Sequence, residues 1–86
     1  MTRARKTAKS LRSQEHRALC ALLVAERRKA GLRQADIAAR LGKPQSYVAK
    51  YEGGERRLDV IEFLGVVRAI GADPKRILRV LMQKQP

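Results

Sequence analysis

Glycine residues divide the apolar part of this chain into short segments, and this division constrains the fold more than any other feature. The glycines that separate these segments are Gly31, Gly42, the pair Gly53 and Gly54, and Gly71. Between them, apolar side chains recur at the three- and four-residue spacing of an amphipathic helix, and glycine commonly stands just past a helix end. No strand pattern and no internal repeat is visible. The chain is therefore predicted to be all-α.

The same spacing predicts five helices joined by short connections. Their expected bounds are 15–30, 34–41, 45–52, 59–70 and 74–83. Asp59 followed by Glu62 is typical of a capping box, and Asp73 followed by Pro74 is typical of an N-cap and a first helical position.

The fourth helix is expected to turn one apolar face to the core. That face comprises Val60 or Ile61, Leu64, Val67 and Ile70. Gly65 inside this helix costs about 1 kcal/mol of helix propensity relative to alanine. We therefore expect another helix to approach the backbone closely at Gly65.

Residues 34–51 place a small residue, a glycine and an apolar residue at fixed offsets between two short predicted helices. Ala38 is small enough for the next helix to cross it closely. Gly42 stands at the turn, where a positive φ costs a residue with a Cβ about 1 kcal/mol or more. Val48 fills the wedge between the two helices. This is the spacing of a helix-turn-helix, whose second helix projects its outer face into the major groove of DNA.

Beyond this geometry, residues 17–82 resemble the Cro/CI-type repressors of bacteria and phages. The resemblance is carried by Gln34, Ala38, Gly42, Gln45 and the sequence Glu52-Gly-Gly. It implies a five-helix, lambda-repressor-like domain that binds operator DNA, usually as a two-fold dimer on a palindromic site.

The resemblance also implies roles for individual residues. Gln34 would bond a phosphate and brace Gln45, the first base-reading residue, and a glutamine can present a donor and an acceptor together to adenine. Because Val48 and Tyr51 point inward, the outer face of the third helix carries the base-reading candidates. These are Gln45, Ser46, Ala49 and Lys50. Lys50 would suit guanine.

Phosphate contacts are expected around this helix, where they would position the protein without specifying sequence. The candidates are Arg33, Gln34, Lys43, Tyr47, Arg56 and Arg57, although Arg56 and Arg57 also fit ordinary surface charge. Arg33 and the Lys43-Pro44 pair stand where the family commonly has Ser or Thr, so two helix caps are expected to be missing. Glu52 is expected to be structural.

Residues 1–14 carry basic residues, no acidic residue and only Leu11 as a sizeable apolar group. Such a segment cannot bury enough apolar surface to offset the entropy of ordering it. We therefore predict a flexible basic arm over 1–14 and one domain over 15–86. The arm fits a solvated tail as well as a segment that wraps DNA. Its candidate DNA contacts are Arg3, Arg5, Lys6, Lys9 and Arg12.

Composition excludes several other classes of protein. The 20 Lys and Arg against 8 Asp and Glu give a net charge of +12, which implies a polyanionic partner. With three aromatic residues, the chain lacks the ring platforms of single-strand binders. One Cys and one His supply no metal site or internal disulfide. We expect no cofactor and no catalytic activity. No segment could span a bilayer, and the single Cys fits a reducing cytoplasm, so we expect a cytoplasmic protein associated with the nucleoid.

The last predicted helix has more apolar residues than a small core obviously needs. Ile77, Leu78, Leu81 and Met82 are candidates for a dimer interface, and a role in closing the monomer core fits each of them equally well. Control is expected to come from concentration, competition, or a protein antagonist or co-regulator.

The sequence therefore predicts a sequence-specific regulator of transcription that binds double-stranded DNA as a homodimer. The small members that it resembles include phage repressors, restriction-modification controllers and regulators of mobile elements, in which self-regulation is common. Two alternatives stay open: an antitoxin or adaptor whose main partner is a protein, and a nonspecific nucleic-acid binder, for which the charge alone would suffice.

Overall fold

The computed structural model confirms an all-α chain of five helices in the part that it describes. It describes residues 2–83, and side chains from residue 14 onward. The helices are α1 (Thr2–Lys29), α2 (Gln34–Leu41), α3 (Gln45–Glu52), α4 (Val60–Ile70) and α5 (Pro74–Gln83). The predicted bounds of α2, α3 and α5 agree with these, and Asp59 is the N-cap of α4.

Helix α1 begins at Thr2, well before the predicted start at Glu15. The segment contains no glycine or proline and is rich in Ala, Arg and Lys, which are good helix formers, so nothing local ends the helix earlier. The side chains of the predicted arm, and with them its proposed DNA contacts, lie outside the described residues. The division of the chain into an arm and a domain stays a prediction.

The turn between α2 and α3 has the predicted backbone. Gly42 has a φ of 67°, in the left-handed region. Beyond it, the Lys43 N–H donates to the Ala38 carbonyl at 3.0 Å, which closes the end of α2. Ala38 is buried, as the close crossing of α2 and α3 requires.

The core lies where all five helices meet. Its most deeply buried side chains are Leu23, Ile37, Val48, Tyr51, Val66, Val67 and Ile77. Every helix contributes at least one of them. Helix α1 packs against α3, α4 packs against α2, and α5 packs against α1 and α4, so the helix-turn-helix lies between α1 and α4.

The predicted apolar face of α4 is partly wrong. Phe63 and Val66 are buried with Val67 and Ile70, whereas Val60 and Ile61 are exposed and Leu64 is only partly buried. The buried positions 63, 66, 67 and 70 recur at the three- and four-residue spacing of one helix face, and Val60 and Ile61 precede them at the start of the helix.

The close approach expected at Gly65 is also absent. A Cβ placed on Gly65 would have Leu41 Cδ2 as its nearest neighbour, at 3.9 Å, which is an ordinary van der Waals distance.

Ile77 must be removed from the predicted dimer surface, because it is only 1% exposed and belongs to the monomer core. Leu81 is partly buried. Leu78 is 43% and Met82 71% exposed, so these two residues form the apolar surface of α5. The helical period explains the difference, since residues one position apart face about 100° apart.

Polar bonds between distant residues join the helices. Arg76 on α5 binds Glu26 on α1 through two bonds of 2.6 and 3.1 Å. Arg40 on α2 donates to the Ala69 carbonyl near the end of α4 at 2.7 Å. None of the described helices is long and apolar enough to cross a membrane.

Candidate nucleic-acid interface

Helix α3 exposes one side to solvent and buries the other. Val48 and Tyr51 are in the core, as expected. The four residues predicted to read bases, Gln45, Ser46, Ala49 and Lys50, are all exposed. Residues at these offsets lie on one side of a helix, so the structure brings the four together on a common outer surface.

A buried ion pair fixes the end of α3 against α1. Arg27 donates from Nε to Glu52 Oε2 at 2.7 Å and from Nη2 to Glu52 Oε1 at 3.0 Å. The two side chains are only 9% and 6% exposed. Arg27 Nη1 also donates to the Leu32 carbonyl at 2.8 Å. The bonds to Glu52 raise the pKa of Arg27. Glu52 is thus structural, as expected, whereas no sequence pattern pointed to Arg27 as its partner.

Gln34 connects this ion pair to the outer face of α3. Its Nε2 donates to Glu52 Oε1 at 3.0 Å, and its Oε1 accepts from Gln45 Nε2 at 3.4 Å. The brace that the resemblance implied is therefore present, with Glu52 as its far end. Gln45 is the exposed end of a polar chain that begins in the core.

The N-termini of α2 and α3, which were both predicted to lack a side-chain cap, differ in the structure. At α3, Pro44 is the N-cap and no side chain bonds there, as predicted. At α2, Asp36 compensates, because its Oδ2 accepts from the Arg33 N–H at 2.8 Å and from Arg33 Nε at 3.2 Å. These bonds lower the pKa of Asp36 to about 2. The Arg33 side chain stays exposed beside this carboxylate.

Arg56, a predicted phosphate contact, is engaged within the protein. It binds both oxygens of Glu62, at 2.8 and 3.2 Å. Glu62 and Asp59 also form the predicted capping box, with bonds of 2.9 Å from the Asp59 N–H and 2.7 Å from the Glu62 N–H. Arg56 and the cap together lower the pKa of Glu62 to about 2. This network fixes the loop between α3 and α4.

Tyr47 lies between that network and the outer face of α3. The Arg56 guanidinium is 4.7 Å and the Lys43 ammonium 5.3 Å from its ring centroid, both within range of a cation–π interaction. The ring meets Tyr51 edge-on at 5.8 Å. Of the predicted phosphate contacts, Arg33, Lys43 and Arg57 are exposed, whereas Gln34, Tyr47 and Arg56 are partly buried.

Cys20 is buried and donates from Sγ to the Tyr51 carbonyl at 3.2 Å. Among residues 14–83 there is no cluster of acidic, His and Cys side chains that could hold a metal ion.

Comparisons with known proteins agree with this geometry. A family model described as helix-turn-helix matches residues 23–77, more than half of the chain. A solved XRE-family like protein from Pseudomonas syringae pv. tomato str. DC3000 is 46% identical, with a TM-score of 0.87, over 93% of this chain and 98% of that one. The chain belongs to the XRE family of helix-turn-helix proteins. It is therefore a DNA-binding regulator.

More distant structures show the same fold for this XRE-family chain. The restriction-modification controller protein C.Esp1396I is 14% identical, with a TM-score of 0.74, over 80% of this chain and 91% of that one. Another structure of that protein, with a TM-score of 0.73 and 14% identity over the same shares, is a tetramer in complex with its natural 35 base-pair operator. A comparison with curated protein sequences found no match.

Proposed function

We propose that this XRE-family protein regulates transcription by binding a palindromic operator in double-stranded DNA as a homodimer. The observation that carries the proposal is the outer face of α3, where four adjacent exposed side chains are presented by a helix whose other side is locked in the core. Such a face fits the major groove. As a regulator of this kind, the protein is expected to act in the cytoplasm, at the nucleoid.

Base recognition is assigned to Gln45, Ser46, Ala49 and Lys50. Gln45 is held by Gln34 and needs little further ordering to bind, which favours a fixed contact with one base pair. Lys50 is exposed near the end of the helix and would donate to guanine O6 or N7. The small side chain of Ala49 would let α3 approach the bases closely, or would contact a thymine methyl group.

We assign most of the affinity for DNA to basic side chains that contact phosphates. Lys43 and Arg57 are exposed on the two loops that flank α3, where phosphates would pass. Arg33 stands at the N-terminus of α2 and would exchange Asp36 for a phosphate oxygen. Each neutralised phosphate contributes about −0.9 to the slope of log affinity against log salt concentration.

The proposed dimer uses large apolar side chains that are exposed among residues 14–83 of the monomer. These are Val60 and Ile61 on α4 and Leu78 and Met82 on α5. A two-fold pair on DNA would place the two α3 helices about 34 Å apart, one helical turn of DNA. The operator complex of C.Esp1396I supports operator binding by an oligomer of this fold.

Selection of bound duplexes from a random pool tests the proposal. We expect an inverted repeat whose half-sites lie about one helical turn apart, together with dimers in sedimentation experiments on the complex. A pool that yields no consensus would indicate a nonspecific nucleic-acid binder. A consensus without symmetry, bound by a single chain, would exclude the homodimer.

A further inference from the structure

The Arg27–Glu52 pair determines which way the amide of Gln34 is turned. A carboxylate can only accept hydrogen bonds, so Glu52 Oε1 must face the amino group of Gln34, at 3.0 Å, and cannot face its carbonyl. Glu52 has no freedom to turn away, because Arg27 binds both of its oxygens and the side chain is buried. The direction of this bond is therefore set by charge.

The orientation of Gln34 then determines that of Gln45. With its amino group on Glu52, Gln34 offers only its carbonyl Oε1 to Gln45, which donates to it from Nε2 at 3.4 Å. Gln45 keeps its carbonyl oxygen and one N–H for a ligand. If Gln34 were reversed, Gln45 would turn its carbonyl inward and present two N–H groups outward.

We propose that Arg27 and Glu52 are positioning residues that set the base preference of Gln45, so that it reads adenine rather than guanine. The major-groove edge of adenine offers one donor and one acceptor, N6 and N7, which match the outward groups of Gln45. Guanine offers two acceptors, O6 and N7, which match the reversed amide. The inference rests on the proposed base-reading role of Gln45 and adds the residues that determine what it reads.

The test replaces the whole ion pair, in an Arg27→Met, Glu52→Met double variant. Exchanging both charges for apolar side chains avoids leaving one charge buried and is often neutral for stability. The base pair read by Gln45 is first identified as the one at which Gln45→Ala no longer distinguishes A·T from G·C. The affinities of each protein are then compared for two duplexes that differ only in carrying A·T or G·C at that base pair. Wild type is expected to favour adenine by about 5- to 150-fold. The double variant is expected to lose most of this preference.

A matched control is the Arg76→Met, Glu26→Met double variant, which removes another ion pair of α1, formed with α5 rather than α3. It is expected to keep the adenine preference. If the Arg27, Glu52 variant does not fold by circular dichroism, Gln34→Leu interrupts the same chain of bonds at its middle. Gln34→Leu is likewise expected to lose the preference.

The outcomes separate the positioning role from a merely structural one. Loss of adenine preference in the Arg27, Glu52 variant, with the control intact, supports the proposal. An equal loss of affinity on both duplexes, with the preference intact, overturns it while leaving Gln45 as a base reader. If Gln45→Ala changes the preference at no base pair, the base-reading role fails, and the positioning role fails with it.

Discussion

Replacing Tyr51 by phenylalanine is expected to stabilise this protein, against the usual effect of a substitution in a core. Tyr51 is 1% exposed. Its hydroxyl oxygen has no hydrogen-bond partner among residues 14–83. A buried polar group without a partner costs about 1–3 kcal/mol, and phenylalanine fills the same space without it. We therefore expect Tyr51→Phe to raise the free energy of unfolding by about 1–3 kcal/mol at neutral pH.

The same hydroxyl predicts a dependence on alkaline pH. Burial, assisted by the charge of Glu52, raises the pKa of Tyr51 above the value of about 10 that it has in the unfolded chain. Above pH 10 the unfolded state loses this proton while the folded state keeps it, so the wild-type protein loses stability, by up to about 1.4 kcal/mol per pH unit. Tyr51→Phe has no such proton, so the difference in stability between this variant and wild type should grow above pH 10.

Urea and thermal unfolding of both proteins, at neutral pH and at alkaline pH, measure these effects. For a domain of this size, 1 kcal/mol corresponds to a shift in Tm of about 4–8 °C. Tyr47→Phe is the matched control, because its ring is only partly buried, and its effect should stay within about 0.5 kcal/mol. A Tyr51→Phe variant less stable than wild type at neutral pH would refute the reasoning, since the hydroxyl would then be stabilising.

Three further predictions concern the stability of the fold. Gly65→Ala should raise the free energy of unfolding by about 1 kcal/mol in urea melts, since a Cβ there meets nothing closer than 3.9 Å. A lower free energy of unfolding would contradict this prediction and indicate a steric clash at the new methyl group. The carboxylates Asp36 and Glu62, whose pKa values are lowered to about 2, contribute stability that is present above pH 4 and lost between about pH 4 and pH 2. An Asp36→Asn, Glu62→Gln variant should therefore show a weaker acid dependence in melts at stepwise pH, and an unchanged dependence would contradict these pairings. Ile77→Ala should lower the free energy of unfolding by about 2–5 kcal/mol, whereas Met82→Ala should change it by under about 0.5 kcal/mol in the monomer; equal effects would argue against the core position of Ile77.

The parts of the fold that follow from local chemistry could be predicted from the sequence. Gly42 marks the turn because only a residue without a Cβ adopts a positive φ cheaply, and Asp59 with Glu62 marks a cap by spacing alone. The exposed face of α3 follows from its helical period once Val48 is placed in the wedge. Each of these inferences needs residues only a few positions apart.

The parts that depend on distant residues could not be predicted in this way. Arg27 and Glu52 are 25 positions apart, and no local pattern distinguishes Arg27 from its basic neighbours. The buried face of α4 could not be predicted because apolar residues fall on every side of this helix, so that only the packing of α1, α2 and α5 decides which of them are buried. The ion pair of Arg56 with Glu62 could not be predicted either, because the spacing of Glu62 from Asp59 indicates only its role in the helix cap.

Competition between specific and random DNA tests the central claim most directly. A labelled duplex carrying the selected consensus is bound at fixed salt and displaced by the same duplex or by a scrambled one. We expect a preference of about a thousandfold or more for the consensus, and a loss of about 1–3 kcal/mol on that duplex alone in Gln45→Ala or Lys50→Ala. Equal affinity for both duplexes, or an equal loss on both in these variants, would contradict recognition by the outer face of α3.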